Sequence, residues 1–209
     1  MVGISVSYRP VDGIKLYGEF LLDEYGKRDI GKAHWANKWA WQLRTHLVDI
    51  GLPRTDMRVE FARMRPFLYS HSETINSYTH FGDVMGHPAG PNAWNLFIES
   101  SWIASRKMTL TVVADITHQG VNTDETFGSD PNVSYDSRAC EIGNDFLQGN
   151  LVKASAVAGL MSYEASRIYS STFRPHSFLP CRKLDQQSPI YCPGSSFVGE
   201  ALLRISLDE

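Results

Sequence analysis

The 209-residue chain is 43% hydrophobic and 21% charged, which excludes intrinsic disorder and suits one all-β domain or two small ones. Its formal net charge of −3 gives no polycationic surface, which argues against nucleic acid as a partner. No apolar run approaches the roughly 18 residues of a spanning helix, and the first 13 residues lack the basic-then-apolar pattern of a secretory signal. A membrane β-barrel stays open, because its strands alternate and never register as long hydrophobic runs.

Apolar residues recur at every second position, and helical spacing of three and four is hard to find. The alternation predicts about nine strands, near residues 2–9, 14–24, 35–48, 57–70, 94–105, 108–119, 150–162, 166–176 and 196–207. In the second, Ile14, Leu16, Phe20 and Leu22 share a face opposite Lys15, Tyr17 and Glu19. In the third, Trp39, Trp41, Leu43 and Leu47 oppose Lys38, Gln42, Arg44 and His46. The strand from Met108 sets Leu110, Val112, Ala114 and Ile116 against Thr109, Thr111 and Asp115, and the last sets Phe197, Leu203 and Ile205 against Glu200 and Arg204.

Short links (PVDG, IGLPRTD, SRK) alternate with connections of about ten to thirty residues, the layout of an outer-membrane barrel with short periplasmic turns and long extracellular loops. Many expected strands exceed globular length and match the tilted bilayer crossing. Charges such as Lys15, Glu19, Arg44, Arg58, Glu60, Asp115 and Arg204 suit a hydrated lumen. Trp35, Trp39, Trp41, Tyr25, Tyr69 and Trp94 are expected at the long-loop ends, where an interfacial girdle sits. A soluble sandwich or barrel is the competing architecture.

The stretch THFGDVMGHPAGPNAWNLF, residues 79–97, carries the densest cluster of special residues. His71, His80 and His87 lie near Glu73 and Asp83, but at no compact zinc-ligand spacing, so no metal is expected. The glycines do not follow a strand and open a helix, so a phosphate loop is not expected either. Glycine and proline together specify a stiff, folded-in loop. Asp23 and Glu24 evoke a glycosidase pair, yet neighbouring strand residues point to opposite faces, and no catalytic role is assigned.

In RVEFARMRPFLYSH, Arg58, Arg63, Arg65, Tyr69 and His71 combine forked cations with an aromatic face, which suits an acidic polysaccharide. Lumenal ion pairing with Glu60, Glu19 and Glu99 accounts for the arginines equally well. Pro66, with an apparent change of parity around Ala62, suggests a bulge in this strand. Cys181 and Cys192 bracket a Pro-rich polar loop and form a disulfide candidate, which leaves Cys140 over.

The runs LYGEFLLDEY, NKWAWQL, MRVEFARMRPFLYSH and NSYTHFGDVMGHPAGPNAWN, with GNDFLQGN and FVGEALLRISL later, resemble the Wzi-like capsule assembly family of outer-membrane proteins. They also resemble the related gliding-motility barrels of Bacteroidetes type. The resemblance implies an eighteen-stranded outer-membrane barrel that holds capsular polysaccharide as a lectin. Residues 1–209 are then expected to be one partial barrel domain, the C-terminal half, without the terminal aromatic usual in such barrels.

The resulting expectation is an all-β, antiparallel up-and-down meander, part of a larger transmembrane β-barrel in the outer membrane. It is expected to bind or anchor surface polysaccharide without catalysis or cofactor, monomeric as a full-length barrel in outer-membrane lipid. The expected sugar contacts are Arg63, Arg65, Tyr69, His71, His80, His87 and Asn92. The alternatives are a gliding or adhesion barrel that binds no sugar, and a soluble β-rich carbohydrate-active enzyme.

Overall fold

The computed structural model describes residues 1–26 and 33–163 in full, and residues 203–205 as backbone. Cys181, Cys192 and the expected strand at 166–176 lie outside the described residues.

The chain is all-β, and no α-helix occurs among the described residues. Seven long strands form an antiparallel meander: β1 (Val2–Val11), β2 (Ile14–Glu24), β3 (Lys38–Val48), β4 (Thr55–Met64), β7 (Ala93–Ser105), β8 (Met108–Val121) and β9 (Asn150–Tyr163). Two short strands, β5 (Thr79–His80) and β6 (Asp83–Val84), make a separate hairpin in the β4–β7 loop. Residues Leu203–Ile205, β10, pair directly with β9 at Val157–Gly159.

Three expectations need correction. The third strand begins at Lys38, because residues 35–36 form a turn. The fourth ends at Met64 instead of running to residue 70: Pro66 has no N–H to give a ladder, and Phe67 and Tyr69 adopt φ of 62° and 72°. No bulge occurs at Ala62, which pairs in unbroken register with Gln42 and Asn95. The irregularity next to the long loops lies instead in β2, between Leu22 and Glu24.

Continuous register through the strand centres, with shifts only near strand ends, gives the sheet two chemically distinct faces. On one, cross-strand rungs run Gly18–Leu43–Phe61–Leu96–Ile116–Ser155, then Leu16–Thr45–Val59–Ile98–Ala114–Val157, then Ile14–Leu47–Met57–Ser100–Val112–Gly159. None of these positions is charged, and the rung Thr55–Trp102–Leu110–Met161 continues the pattern. This apolar face is open: Leu43 is 57% exposed and Val112 53%. The opposite face carries Glu19, Gln42, Arg44, Arg58, Glu60, Asn95, Asp115 and Thr117, and the long loops fold over it.

The apolar face is bounded by aromatics at both ends. On the long-loop side Phe20 stacks near Trp39 (6.5 Å between centroids), Trp41 meets Phe61 (5.3 Å), and Phe61 meets Trp94 (5.8 Å). On the short-turn side stand Tyr8, Trp102 and Tyr163. Trp94 and Trp102 lie eight residues apart on β7, about 27 Å along a strand.

Candidate functional site

The polar face and the β4–β7 loop enclose a cleft of about 930 Å³. Its floor comes from alternate residues of β2, β3, β4, β7 and β8. Its roof is Tyr69, Tyr78, Met85, Gly86, His87 and Pro88 from the loop. Of the stretch at 79–97, residues 85–89 fold over the cleft, whereas the β5–β6 hairpin at its start is exposed, Phe81 to 94%.

The loop is fixed by specific bonds. The Phe67 N–H donates to the Gly128 carbonyl (2.8 Å), and the Tyr69 N–H donates to Asp23 Oδ2 (3.1 Å). The Tyr69 hydroxyl accepts from the His87 N–H (3.3 Å), and Gly86 packs so closely on the Tyr69 ring that a Cβ would collide with it. Burial pushes the Tyr69 phenol up from its ordinary pKa and holds the His87 imidazole below the ordinary histidine value. Four non-glycine residues at positive φ, Phe67, Tyr69, Phe81 and Asn92, make this loop the most strained part of the mouth.

Lys38, fully buried, clasps three segments together. Its ammonium donates to Glu24 Oε2 (2.8 Å) and to the Ser70 carbonyl (3.0 Å), and lies 4.1 Å from the Tyr135 ring centroid. Trp35 stacks with Tyr135 (4.5 Å) and donates to Glu141 (2.7 Å). It belongs to this loop cluster and not to the outer girdle. The exposed Glu141 carboxyl is held below the usual carboxylate range by the Arg138 guanidinium and the Trp35 N–H.

Inside the cleft most charges already have partners. Arg44 pairs with Glu60 (2.5 Å), Arg58 with Glu99 (2.8 Å), and Glu19 accepts from the Tyr17 hydroxyl (2.8 Å). Asp115 accepts from the Asn95 amide (2.7 Å), which also donates to Thr117 Oγ1 (2.8 Å). The floor is thus a cross-linked polar lattice with aromatic faces, Tyr69, Tyr78 and Phe97, above and within it.

No family model matches the chain. No curated protein and no solved structure matches it either.

The seven expected contact residues do not form one site. Tyr69 and His87 line the cleft. His71 sits outside it, 3.9 Å from the buried Asp23 carboxylate, and His80 is exposed in the β5–β6 hairpin. Arg65 donates to the Asn37 and Asn144 carbonyls (3.4 and 3.1 Å), and burial lowers its pKa. Asn92, fully buried, donates to the Gly120 and Gln148 carbonyls (2.6 and 2.8 Å) and accepts from the Leu147 N–H (2.8 Å). Arg63 points away from the cleft, onto the apolar face, because its neighbours Ala62 and Met64 line the cleft.

Asp23 and Glu24 are likewise engaged separately, by the Tyr69 N–H and by Lys38. Among the described residues no group of three or more His, Cys, Asp or Glu converges on a point that could hold a metal ion. The cleft residues that sequence reasoning passed over are Gln42, Asn95, Thr117, Gln119 and Tyr78. The signal for the first four was parity alone, since each pairs within the Ala62 and Met64 rungs.

Proposed function

We propose that this chain is part of an outer-membrane β-barrel of capsule-assembly type, which binds or anchors a surface polysaccharide at its loop-side mouth without catalysis. One observation carries the membrane part: an exposed, uncharged apolar belt between two aromatic rows, on a sheet whose other face is charged and loop-covered. A soluble sheet puts its apolar face inside; the exposed apolar face here supports the opposite order, the one a sheet in lipid would need.

The cleft supports the polysaccharide part. Tyr78, more than a third exposed, offers a flat ring for sugar stacking, with the buried Tyr69 packed behind it, and Gln42 and Thr117 offer hydrogen-bonding groups. Because Arg44 and Arg58 are already paired with Glu60 and Glu99, the cleft has little free cationic charge. The ligand it suits is an uncharged, hydroxyl-rich glycan segment and not the acidic one that the arginine count alone suggests.

The test is a glycan array probed with detergent-folded protein, with Tyr78→Ala alongside. Retention of uncharged glycans over carboxylated ones, weakened by Tyr78→Ala, is the expected result. Absence of any glycan retention sinks the polysaccharide reading. A monodisperse, detergent-free monomer in size-exclusion chromatography sinks the membrane reading.

A further inference from the structure

Among the described residues the apolar face carries charge on a single rung. At the long-loop boundary, cross-strand pairing sets Phe20, Trp41, Arg63, Trp94, His118 and Lys153 side by side. Arg63, Trp94, His118 and Lys153 point outward, since Ala62, Asn95, Thr117 and Ala154 beside them line the cleft, to which Trp41 also contributes. From Arg63 to Lys153 the rung spans three strand spacings, about 14 Å.

We propose that this rung is a binding site for a phosphorylated lipid headgroup of the outer leaflet. The proposal rests on the membrane-barrel reading above and adds a ligand to the outside of its wall. Four facts converge. Arg63 and Lys153 are fixed cations, and no acidic residue shares their rung or the three rungs below it.

The Arg63 guanidinium is stacked 4.0 Å over the Phe146 ring, and its Nε is buried without a hydrogen-bond partner. A planar fork stacked on one side keeps its donors in the plane for a phosphate. Trp41 and Trp94 flank Arg63 and set the rung at headgroup depth, with the His118 ring 4.3 Å from Trp94. A cation row immediately above an uncharged belt is costly against acyl chains and favourable against anionic headgroups. Lys153 is exposed, so its ammonium is free to reach such a group.

The experiment reconstitutes the full chain into phosphatidylcholine nanodiscs that carry either a phosphorylated glucosamine-based glycolipid or its dephosphorylated form. Lipid co-purified after detergent exchange is read by native mass spectrometry. Preferential retention of the phosphorylated form is expected, at least about tenfold for two charge-assisted contacts. Arg63→Gln with Lys153→Gln removes the preference, while Arg106→Gln with Lys107→Gln at the opposite end keeps it. Equal retention of both lipids, or a preference unchanged in the Arg63/Lys153 variant, overturns the site while leaving the barrel reading intact. Failure to enter nanodiscs of either composition overturns the barrel reading and the site with it.

Discussion

The ammonium of Lys38 lies 2.8 Å from the Glu24 carboxylate, and the two partners differ sharply in exposure: the lysine side chain is fully buried and that of the glutamate 42% exposed. Removing one partner therefore does not equal removing the other. Glu24→Leu strands a buried cation and costs about 3 kcal/mol, whereas Lys38→Met leaves a solvated carboxylate and one carbonyl without a donor and costs about 2 kcal/mol. Denaturant titration of both variants and the double variant checks this. A Lys38→Met loss larger than that of Glu24→Leu contradicts it.

Gly86 meets the Tyr69 ring so closely that the loop has no room for a methyl group. Gly86→Ala is expected to destabilise the loop by about 1–3 kcal/mol. Tyr69→Ala in the same chain restores part of that loss by vacating the space. Limited proteolysis within residues 65–92 reads the effect, and loop protection equal to the parent's in Gly86→Ala contradicts the packing.

Burial keeps the His87 imidazole below its ordinary pKa, although Glu60 and Asp115 pull the other way. The folded state thus binds this proton less readily than the unfolded one, and stability falls as the medium is acidified. His87's contribution is complete above about pH 6.5 and declines as pH drops below it. The protection factors of the loop amides, taken against the intrinsic exchange rate at each pH, are expected to fall between about pH 7.5 and about pH 5.5, and less so in His87→Asn. Identical pH dependence in the variant rules out His87 as the source.

If lipid covers the apolar face, the penalty for charge depends on depth. Ile98→Arg, in the middle of β7, is expected to cost about 2–4 kcal/mol of folding free energy in bilayers, and Trp94→Arg, at the boundary rung, about 1 kcal/mol beyond its lost ring contacts. Equilibrium folding into vesicles measures both. A cost for Ile98→Arg no larger than for an inward substitution such as Thr117→Arg places this face in water.

Strand existence and facing were readable because alternation is local: Ile14, Leu16, Phe20 and Leu22 share a face as expected. The end of β4 was not. Arg63, Met64 and Arg65 continue an alternating text, while Pro66 and the left-handed Phe67 and Tyr69 turn the chain away. The apparent parity change near Ala62 came from Arg63, an outward cation among apolar neighbours, and not from the backbone. Arg65, Tyr69, His71 and Asn92 are close in sequence to the mouth, but their roles depend on partners far away, Asn144, Asp23, Gly120 and Gln148. No local pattern encodes those partners. The inward turn of residues 85–89 was legible, since proline and glycine act on their own backbone, whereas the exposed β5–β6 hairpin before it was not.

The buried carboxamide of Asn92 grips Gly120 at the end of β8 and Leu147 and Gln148 just before β9. A sheet with one oily and one wet face has a particular vulnerability: a one-residue slip of any strand exchanges its two sets of side chains. Asn92 acts as an index pin against that error. With its three bonds made, the segment after residue 149 can start pairing only where Asn150 meets Val121. A single amide at the mouth thereby decides which side chains of the following fourteen-residue strand join the apolar face and which the polar one.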